Sequence, residues 1–270
     1  MTPYLARIDI FPIKSMDGMS VAGVEVLGSG ALKGDRTYAL VDAQNRFVNG
    51  KRTAAIHRLR AAVDPSLEHL SCWVEGEVKP VTFHLQHQRP ELEGWLSNFF
   101  QQPITLAMNT THGFPDDTQA AGPTIISTAT LETVASWYPG LSTDEVRRRF
   151  RTNLEIGGVP PFWEDQLFSA DGQPVPFTIG NVSLEGVNPC QRCIVPTRQT
   201  QTGEATPDFQ KTFLKNRSAT LPLWTHSGRF NHFYRLAVNT NSSGQGGKSM
   251  AVGDPVELSS DQAASRRGEP

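Results

Sequence analysis

The stretch Asn188-Pro189-Cys190-Gln191-Arg192-Cys193-Ile194-Val195-Pro196-Thr197 carries the strongest chemical signal in this sequence. It holds two of the three cysteines, with an arginine between them, directly after a predicted strand over 181–187. A thiolate beside a cation has a depressed pKa, which makes it a good nucleophile and a good ligand for a soft metal. The stretch therefore predicts a reactive or metal-ligating cysteine at the end of a strand.

The spacing Cys190-x-x-Cys193 on its own is compatible with several kinds of site. A structural zinc site needs four ligands; His226 and His232 could complete one, but their spacing and surroundings do not resemble a zinc module. A thioredoxin-like redox pair opens a helix, which the following Ile194-Val195-Pro196 does not favour. An iron–sulfur cluster with four thiolates needs more cysteines than the chain has. A plain structural pair is the alternative that stays open.

Length and composition limit the class of protein. The 270 residues suffice for one large or two modest domains. With 38% hydrophobic residues and a net charge of -2, the composition is that of an ordinary globular protein, without a global field for nucleic acid or an anionic membrane. No stretch approaches the roughly 20 apolar residues of a membrane span, and the N-terminus has no signal-peptide-like run. We therefore expect a cytoplasmic protein with reduced thiols, in which Cys72 is a buried structural residue.

Strand-like segments dominate the first hundred residues. Connections rich in Gly, Asp and Asn separate them, which is typical of an antiparallel barrel or sandwich. The predicted strands are 5–11, 20–27, 38–42, a short one at Val48, 59–64, 70–74 and 81–85. The apolar spacing of Leu92, Leu96 and Phe99 predicts a helix over 91–101.

The second half mixes helices with strands. A polar segment, 108–122, marks a domain boundary or a long active-site loop. Ser127 or Thr128 can cap a helix that runs to about Trp137, and a second helix, 143–150, has acids in its first turn and arginines in its last. Strands are predicted at 153–156, 175–179, 182–187, 234–238 and 255–258. The fold class is therefore mainly β with some α (α+β).

Basic residues recur at the predicted strand ends. Lys14-Ser15 follows the first strand, Gly34-Asp35-Arg36 opens another, and Lys51-Arg52 ends a third, while 149–153 adds Arg149, Arg151 and Asn153. Each group alone is ordinary turn chemistry. Together they indicate an anion-binding rim suited to a phosphate-bearing ligand.

Several motifs, in order and spacing, resemble one known family. They are Phe11-Pro12-Ile13-Lys14-Ser15, Gly34-Asp35-Arg36, Ile125-Ile126-Ser127, Phe150-Arg151-Thr152-Asn153-Leu154, Trp163-Glu164-Asp165, Cys190-Gln191-Arg192-Cys193-Ile194, Thr202-Gly203 and Val252-Gly253-Asp254-Pro255-Val256. The chain resembles MOSC-domain proteins with an N-terminal MOSC β-barrel domain, such as the mitochondrial amidoxime-reducing component and its bacterial relatives. The resemblance implies an N-terminal MOSC-associated β-barrel domain over 1–108 and a MOSC β-barrel domain with flanking helices over 109–260. Residues 261–270 are expected to be a disordered tail.

The resemblance also implies a molybdenum cofactor, a Mo-pyranopterin that carries a phosphate. Cys193 matches the cysteine that ligates the metal in the family, with Cys190 as the other candidate, and a soft thiolate suits that role. The positions that match cofactor contacts are Lys14, Ser15, Arg36, Lys51, Arg52, Ser127, Arg149, Arg151, Asn153 and Arg192. Two departures stand out: Lys51 replaces an arginine that Arg52 can supply, and Arg151-Thr152-Asn153 replaces the commoner Arg-Pro-Asn.

The function that the resemblance implies is a molybdenum-dependent oxidoreductase that reduces N-hydroxylated or N-oxygenated small molecules. Because no ferredoxin-like domain follows the last predicted strand, electrons are expected from a separate ferredoxin, flavoprotein or cytochrome b5-like donor. Cys193 would be catalytic, and Asp165 or Glu164 would deliver protons.

The alternatives are a sulfur carrier with a persulfide on Cys193 and a carrier of the cofactor itself. An OB-like barrel that binds nucleic acid is disfavoured, because Trp73, Trp95, Trp137 and Phe150 fit core faces. Neither nucleic acid nor a membrane is expected as a partner.

Overall fold

Fifteen strands and four helices are present in the computed structural model, which describes residues 2–77, 79–242 and 244–259. The strands are β1 (Tyr4–Ile10), β2 (Met19–Val21), β3 (Gly23–Glu25), β4 (Tyr38–Asp42), β5 (Leu59–Val63), β6 (His69–Val74), β7 (Val81–His84), β8 (Ile104–Met108), β9 (Ile125–Ser127), β10 (Leu154–Gly157), β11 (Val175–Ile179), β12 (Val182–Gln191), β13 (Arg235–Asn241), β14 (Ser249–Ala251) and β15 (Val256–Leu258). The helices are α1 (Arg89–Phe100), α2 (Thr128–Ser136), α3 (Thr143–Phe150) and α4 (Phe209–Ala219). This content confirms the predicted α+β class.

The largest sheet joins the start of the chain to its second half. Its eight strands follow the order β15-β11-β12-β13-β9-β10-β1-β2. Only the β9–β10 pair among these described strands is parallel, whereas β1 pairs antiparallel with both β10 and β2. The register between β12 and β13 shifts between Pro189 and Gln191. Such an irregularity bends a strand and re-aims its side chains, and here it occurs at Cys190.

A second group of strands surrounds a separate apolar core. It consists of the pair β4–β8 and the meander β5-β6-β7, with α1 packed against them through the buried Leu92 and Leu96. Cys72 on β6 is fully buried in this core, and burial raises the pKa of its thiol to about 12. A thiol held neutral in this way is unreactive, so the prediction of a structural role for Cys72 agrees with its surroundings.

Local capping explains two of the helices. Ser127 precedes α2 and its hydroxyl accepts a hydrogen bond from the Thr130 amide, and Ser142 does the same for the Glu145 amide at the start of α3. The sequence did not predict α4, which has no side-chain cap and is held by Phe209 and Phe213 in an aromatic cluster with Tyr138 and Phe150. The short strands β8 and β14 were also not predicted.

The predicted boundary between residues 108 and 109 stays a prediction. Hydrogen bonding of β1 to β10 means that the first strand shares a sheet with the second half of the chain. The tail predicted over 261–270 lies outside the described residues. Within those residues, none of the helices combines the length and the hydropathy of a membrane-spanning segment.

Candidate functional site

One cavity of about 1260 Å³ gathers most of the predicted site residues. It lies where loops after β1 and β3 meet the 109–124 loop, the end of α3 and the bent end of β12. The predicted residues that line it are Lys14, Ser15, Arg36, Lys51, Arg149, Arg151, Asn153, Arg192 and Cys193, together with Cys190. Strand-end cations that are far apart in sequence therefore do converge on one space.

Three of these lining residues have left-handed backbone conformations that favour glycine. The φ angles are 70° at Ser15, 48° at Arg36 and 52° at Arg151, which is the C-cap residue of α3. A non-glycine side chain in this region costs free energy, and such residues concentrate at functional sites. Their joint position on the cavity wall indicates that the backbone is shaped to present these side chains to a ligand.

A carboxylate occupies the point where cations meet. The Lys14 ammonium donates to Asp116 Oδ1 at 2.7 Å and to the Phe114 carbonyl at 2.8 Å, and Lys51 Nζ lies 3.8 Å from the same Asp116 oxygen. Partial burial acts to raise the pKa of Asp116, but Lys14, Arg36 and Lys51 lower it to about 2. The Asp116 side chain is nevertheless 62% exposed. The arrangement is that of an anion site filled by the chain's own carboxylate.

Arg36 and Arg151 stack on the same ring. Their guanidinium carbons lie 5.4 and 4.2 Å from the Phe11 ring centroid. Arg151 Nη1 donates to the Met16 carbonyl at 2.6 Å, whereas its buried Nη2 has no hydrogen-bond partner among the described residues. Burial, and then the charge of Arg36, lower the pKa of Arg151 to about 10. A buried donor without an acceptor is costly unless a ligand supplies one.

Arg149, Arg192 and Asn153 fix the walls of the cavity. Arg192 donates from Nη2 to the Leu236 carbonyl at 2.7 Å and from Nη1 to the Phe150 carbonyl at 3.0 Å. Arg149, buried at the end of α3, binds Glu145 at 2.9 Å and the Pro196 carbonyl at 3.3 Å. Asn153 donates to the Asp9 carbonyl at 3.1 Å and accepts from Thr124. These bonds hold the loop that carries Cys193 against α3 and β13.

The two cysteines are free thiols at the cavity wall. Both are half-buried, and Cys190 lies within β12, whereas Cys193 follows its end. Burial, with a further contribution from Cys193, raises the pKa of Tyr234, whose buried hydroxyl has no partner among the described residues. The described residues contain no group of three or more His, Cys, Asp or Glu that could hold a metal. The zinc interpretation with His226 and His232 therefore fails there, and a metal at Cys193 has to bring other ligands with it.

Four predicted residues do not line the cavity. Asp165 and Glu164, predicted as proton donors, are 2% and 0% exposed and lie in the interior. Asp165 pairs with Arg217 and accepts from Thr225 at 2.9 Å, and Glu164 accepts from the Ser127 amide at 3.2 Å. Ser127 is the cap of α2, and Arg52 is exposed. The family motifs that contain Ser127, Glu164 and Asp165 therefore mark residues that hold the fold together.

Sequence reasoning missed several lining residues. The sequence analysis placed Asp116 in a polar segment that could be an active-site loop, but gave it no role. The signal that could have drawn attention to it is the pair of acids at 116–117. His57, whose Nε2 is buried without a partner among the described residues, and the pair Arg229 and Arg235 carried no motif. Their position depends on tertiary packing, which no local pattern shows.

Comparison with known families agrees with this geometry. The model of the MOSC N-terminal beta barrel domain matches residues 2–97, and that of the MOSC domain matches residues 116–257. The chain belongs to the MOSC family. MOSC domains are associated with the molybdenum cofactor. The chain is 24% identical over 230 residues to a molybdenum cofactor sulfurase from Caenorhabditis elegans, an alignment that covers 77% of this chain but 31% of that protein. The chain thus spans about a third of the length of this relative.

Proposed function

We propose that this MOSC protein binds a phosphate-bearing molybdenum cofactor through Cys193 and reduces N-hydroxylated compounds with electrons from a separate protein. The observation that carries the proposal is the convergence of Lys14 and Lys51 on Asp116, whose pKa the charge of Arg36 also lowers, in a cavity whose wall contains free thiols. Cations in this arrangement suit a phosphate. A free thiolate suits a soft metal that arrives with its own ligands.

The residues present fit such a group in three ways. Asp116 marks a position where three cations already stabilise a negative charge. The unpartnered Nη2 of Arg151 offers a further donor. The cavity volume of about 1260 Å³ exceeds the 300–1,000 Å³ of ordinary small-molecule sites, which leaves room for a cofactor and a substrate together. When bound, the cofactor supplies a redox-active metal for exchange of an oxygen atom with the substrate.

The chain's own residues provide binding and orientation. Lys14 and Lys51 exchange the Asp116 carboxylate for the ligand's phosphate, so both ammonium groups are already positioned for an anion before the ligand binds. Arg192 and Arg149 hold the 192–196 loop through backbone carbonyls and thereby keep the Cys193 thiol at a fixed place. Such positioning limits the reorganisation that a reaction requires.

The match to a molybdenum cofactor sulfurase favours a second candidate, in which Cys193 carries a persulfide and the cofactor docks only transiently. In a third candidate the protein carries the cofactor without turnover. The electron donor, which we expect to be a ferredoxin, flavoprotein or cytochrome b5-like protein, and the cytoplasmic location stay predictions from the sequence.

An anaerobic turnover assay tests the proposal. Protein from a host that makes the cofactor is mixed with an artificial electron donor and an N-hydroxyamidine, and the amidine formed with water from two electrons and two protons is quantified. We expect turnover by the wild type and by the surface variant Lys215→Gln, and none by Cys193→Ala. Full cofactor occupancy without turnover contradicts the reductase and supports the carrier, whereas labile sulfur on Cys193 without metal supports the persulfide candidate.

A further inference from the structure

Two arginines on the cavity wall have no acidic partner. Arg235 lies on β13 opposite Gln191 of β12, and Arg229 ends the short 3-10 helix Ser227–Arg229. Both are half-buried and line the cavity. Neither forms an ion pair within the part of the chain that the structure describes. This differs from Lys14 and Lys51, which share Asp116.

Neutral acceptors hold both guanidinium groups in place. Arg235 donates from Nη1 to the Pro189 carbonyl at 2.7 Å and from Nη2 and Nε to Asn231 Oδ1 at 2.9 and 3.3 Å. Arg229 donates from Nη1 to the Ser169 carbonyl and from Nη2 to the Val187 carbonyl at 3.3 Å. A guanidinium has five N–H donors, so each group keeps donors that these acceptors do not use. The acceptors orient the two cations and leave their charge uncompensated.

The surrounding charges are arranged to favour an anion. Burial lowers the pKa of Arg235 and the charge of Arg229 lowers it further, whereas the sulfur of Cys190 acts in the opposite direction. Arg229 also has a small effect on Asp171, but hydrogen bonds from Ser169 and from the Gln173 amide already engage that carboxylate. Two neighbouring cations in a partly desolvated wall repel each other, and a bound anion relieves that repulsion.

Cys190 lines the same cavity as both groups of cations, and its sulfur acts to raise the pKa of Arg36 and of Arg235. Arg36 belongs with Lys14, Lys51 and Asp116, where the cofactor's phosphate is placed in the proposed function. The cavity wall thus carries two groups of cations, one that shares Asp116 and one that has no acidic partner among the described residues.

We propose that Arg229 and Arg235 form an anion subsite for the substrate, so that the compounds this protein acts on carry a carboxylate or a similar compact anionic group. The substrate class rests on the proposed function, since the subsite belongs to the same cavity. Arg235 makes the principal contact because Pro189, whose carbonyl holds it, is adjacent to Cys190. Arg229 provides the second positive charge.

A matched pair of probes tests this subsite. Benzamidoxime and 4-carboxybenzamidoxime differ only by a carboxylate, and their dissociation constants for the cofactor-loaded protein are measured by calorimetry alongside kcat/KM. We expect the wild type to bind 4-carboxybenzamidoxime with a dissociation constant about tenfold or more below that of benzamidoxime. A charge-assisted hydrogen bond to the carboxylate provides a gain of this size. Arg235→Gln should lose most of that preference, and Arg229→Gln part of it, with little change for the neutral probe.

Arg46→Gln is the matched control, because Arg46 is exposed, lies outside the cavity and contacts Asp42 and Gln44 at the surface. It should leave the preference unchanged. If Arg235→Gln weakens both probes equally, the arginine only supports the fold and the proposal is overturned. The same holds if the variant changes only the KM for an acidic electron-donor protein, which would make the pair a docking patch.

The two proposals fail in different ways. If both probes are turned over without any preference for the carboxylate, the subsite is wrong and the reductase stands. If neither probe is turned over while calorimetry shows carboxylate binding that depends on Arg235, the reductase is wrong and the subsite stands.

Discussion

The basic cavity and the buried acid cluster around Asp165 are both rich in charge, but they differ in where each charge finds its partner. In the cluster, Asp165 meets Arg217 and Thr225, and Glu164 meets Ser127 and Thr130, all within the interior. In the cavity, cations lie against carbonyl oxygens, aromatic rings and the carboxylates of Asp35, Glu145 and the exposed Asp116. Glu164 Oε1 and Arg217 Nη1 have no partner among the described residues, but they are buried away from the cavity, whereas the unpartnered Nη2 of Arg151 belongs to a residue that lines it. What separates the two regions is therefore access to a ligand.

The comparison also corrects the prediction that Asp165, Glu164 and Ser127 act in the functional site. Trp163-Glu164-Asp165 and Ser127 belong to the family pattern, yet they connect α2 to the segment 160–167 and do not line the cavity. Arg229 and Arg235, which belong to no motif quoted above, do line it. Membership of a motif therefore distinguishes poorly between residues that build the fold and residues that bind.

The largest expected effect separates the two cysteines of the cavity. Cys193→Ala should lower the molybdenum content of protein from a cofactor-competent host by more than about tenfold, because a thiolate ligand to the metal is removed. Cys190→Ala should keep most of the metal. Inductively coupled plasma mass spectrometry of both variants measures this difference, and the reverse pattern would assign the metal to Cys190.

A change inside the acid cluster should affect stability instead of function. Asp165→Asn leaves the buried Arg217 without its counter-ion, so we expect the free energy of unfolding to fall by about 3–5 kcal/mol. The molybdenum content per folded chain should not change. Denaturant unfolding and metal analysis of the folded fraction test both parts. A stable variant that turns over slowly would instead restore Asp165 as a catalytic residue.

Removal of the Asp116 carboxylate from the cavity should have a smaller effect, on the affinity for an anion. Asp116→Asn in cofactor-free protein should raise the affinity for inorganic pyrophosphate by about threefold, a modest gain because the Asp116 side chain is exposed and its ion pairs are screened. Glu257→Gln, which removes an exposed acid elsewhere, is the control. Unchanged or weaker binding by calorimetry would mean that Asp116 does not compete with the anion.

The smallest effect concerns pH and the acid cluster. Burial, and then the charge of Asp165, raise the pKa of Glu164 to about 7 from an ordinary 4.5. Because the folded state holds this proton more tightly than the unfolded state, stability decreases as the pH rises from about 4.5 through about 7. The melting temperature of the wild type should therefore fall relative to Glu164→Gln between about pH 5 and pH 8. A constant difference across this interval would show that Glu164 is ionised throughout.

Local signals explain which elements were predicted correctly. The helix Thr143–Phe150 carries a serine cap, early acids and late arginines, and the strands Tyr38–Asp42 and Val175–Ile179 are bounded by turn residues. By contrast, α4 follows Asp208 in a left-handed conformation with no side-chain cap. β12 continues through Pro189 to Gln191, whereas a proline normally suggests the end of a strand.

The candidate site was predictable only to the level of its separate pieces. Strand-end cations such as Lys14 and Arg36 follow from local patterns, and the resemblance to the family placed them together. The contact of Lys14 with Asp116 spans 102 residues, and the anchoring of Arg235 by Pro189 spans 46. Contacts of this range depend on the packing of the sheet and cannot be obtained from neighbouring residues.

The central claim is that the cavity holds a molybdenum cofactor, and the most direct test is the molybdenum and pterin content of the purified wild-type protein. The protein is produced in a host able to make the cofactor, the metal is quantified by mass spectrometry, and oxidised pterin is detected by fluorescence. We predict molybdenum and pterin in near-stoichiometric amounts. Absence of both, from a host that loads another molybdoprotein, would contradict the claim.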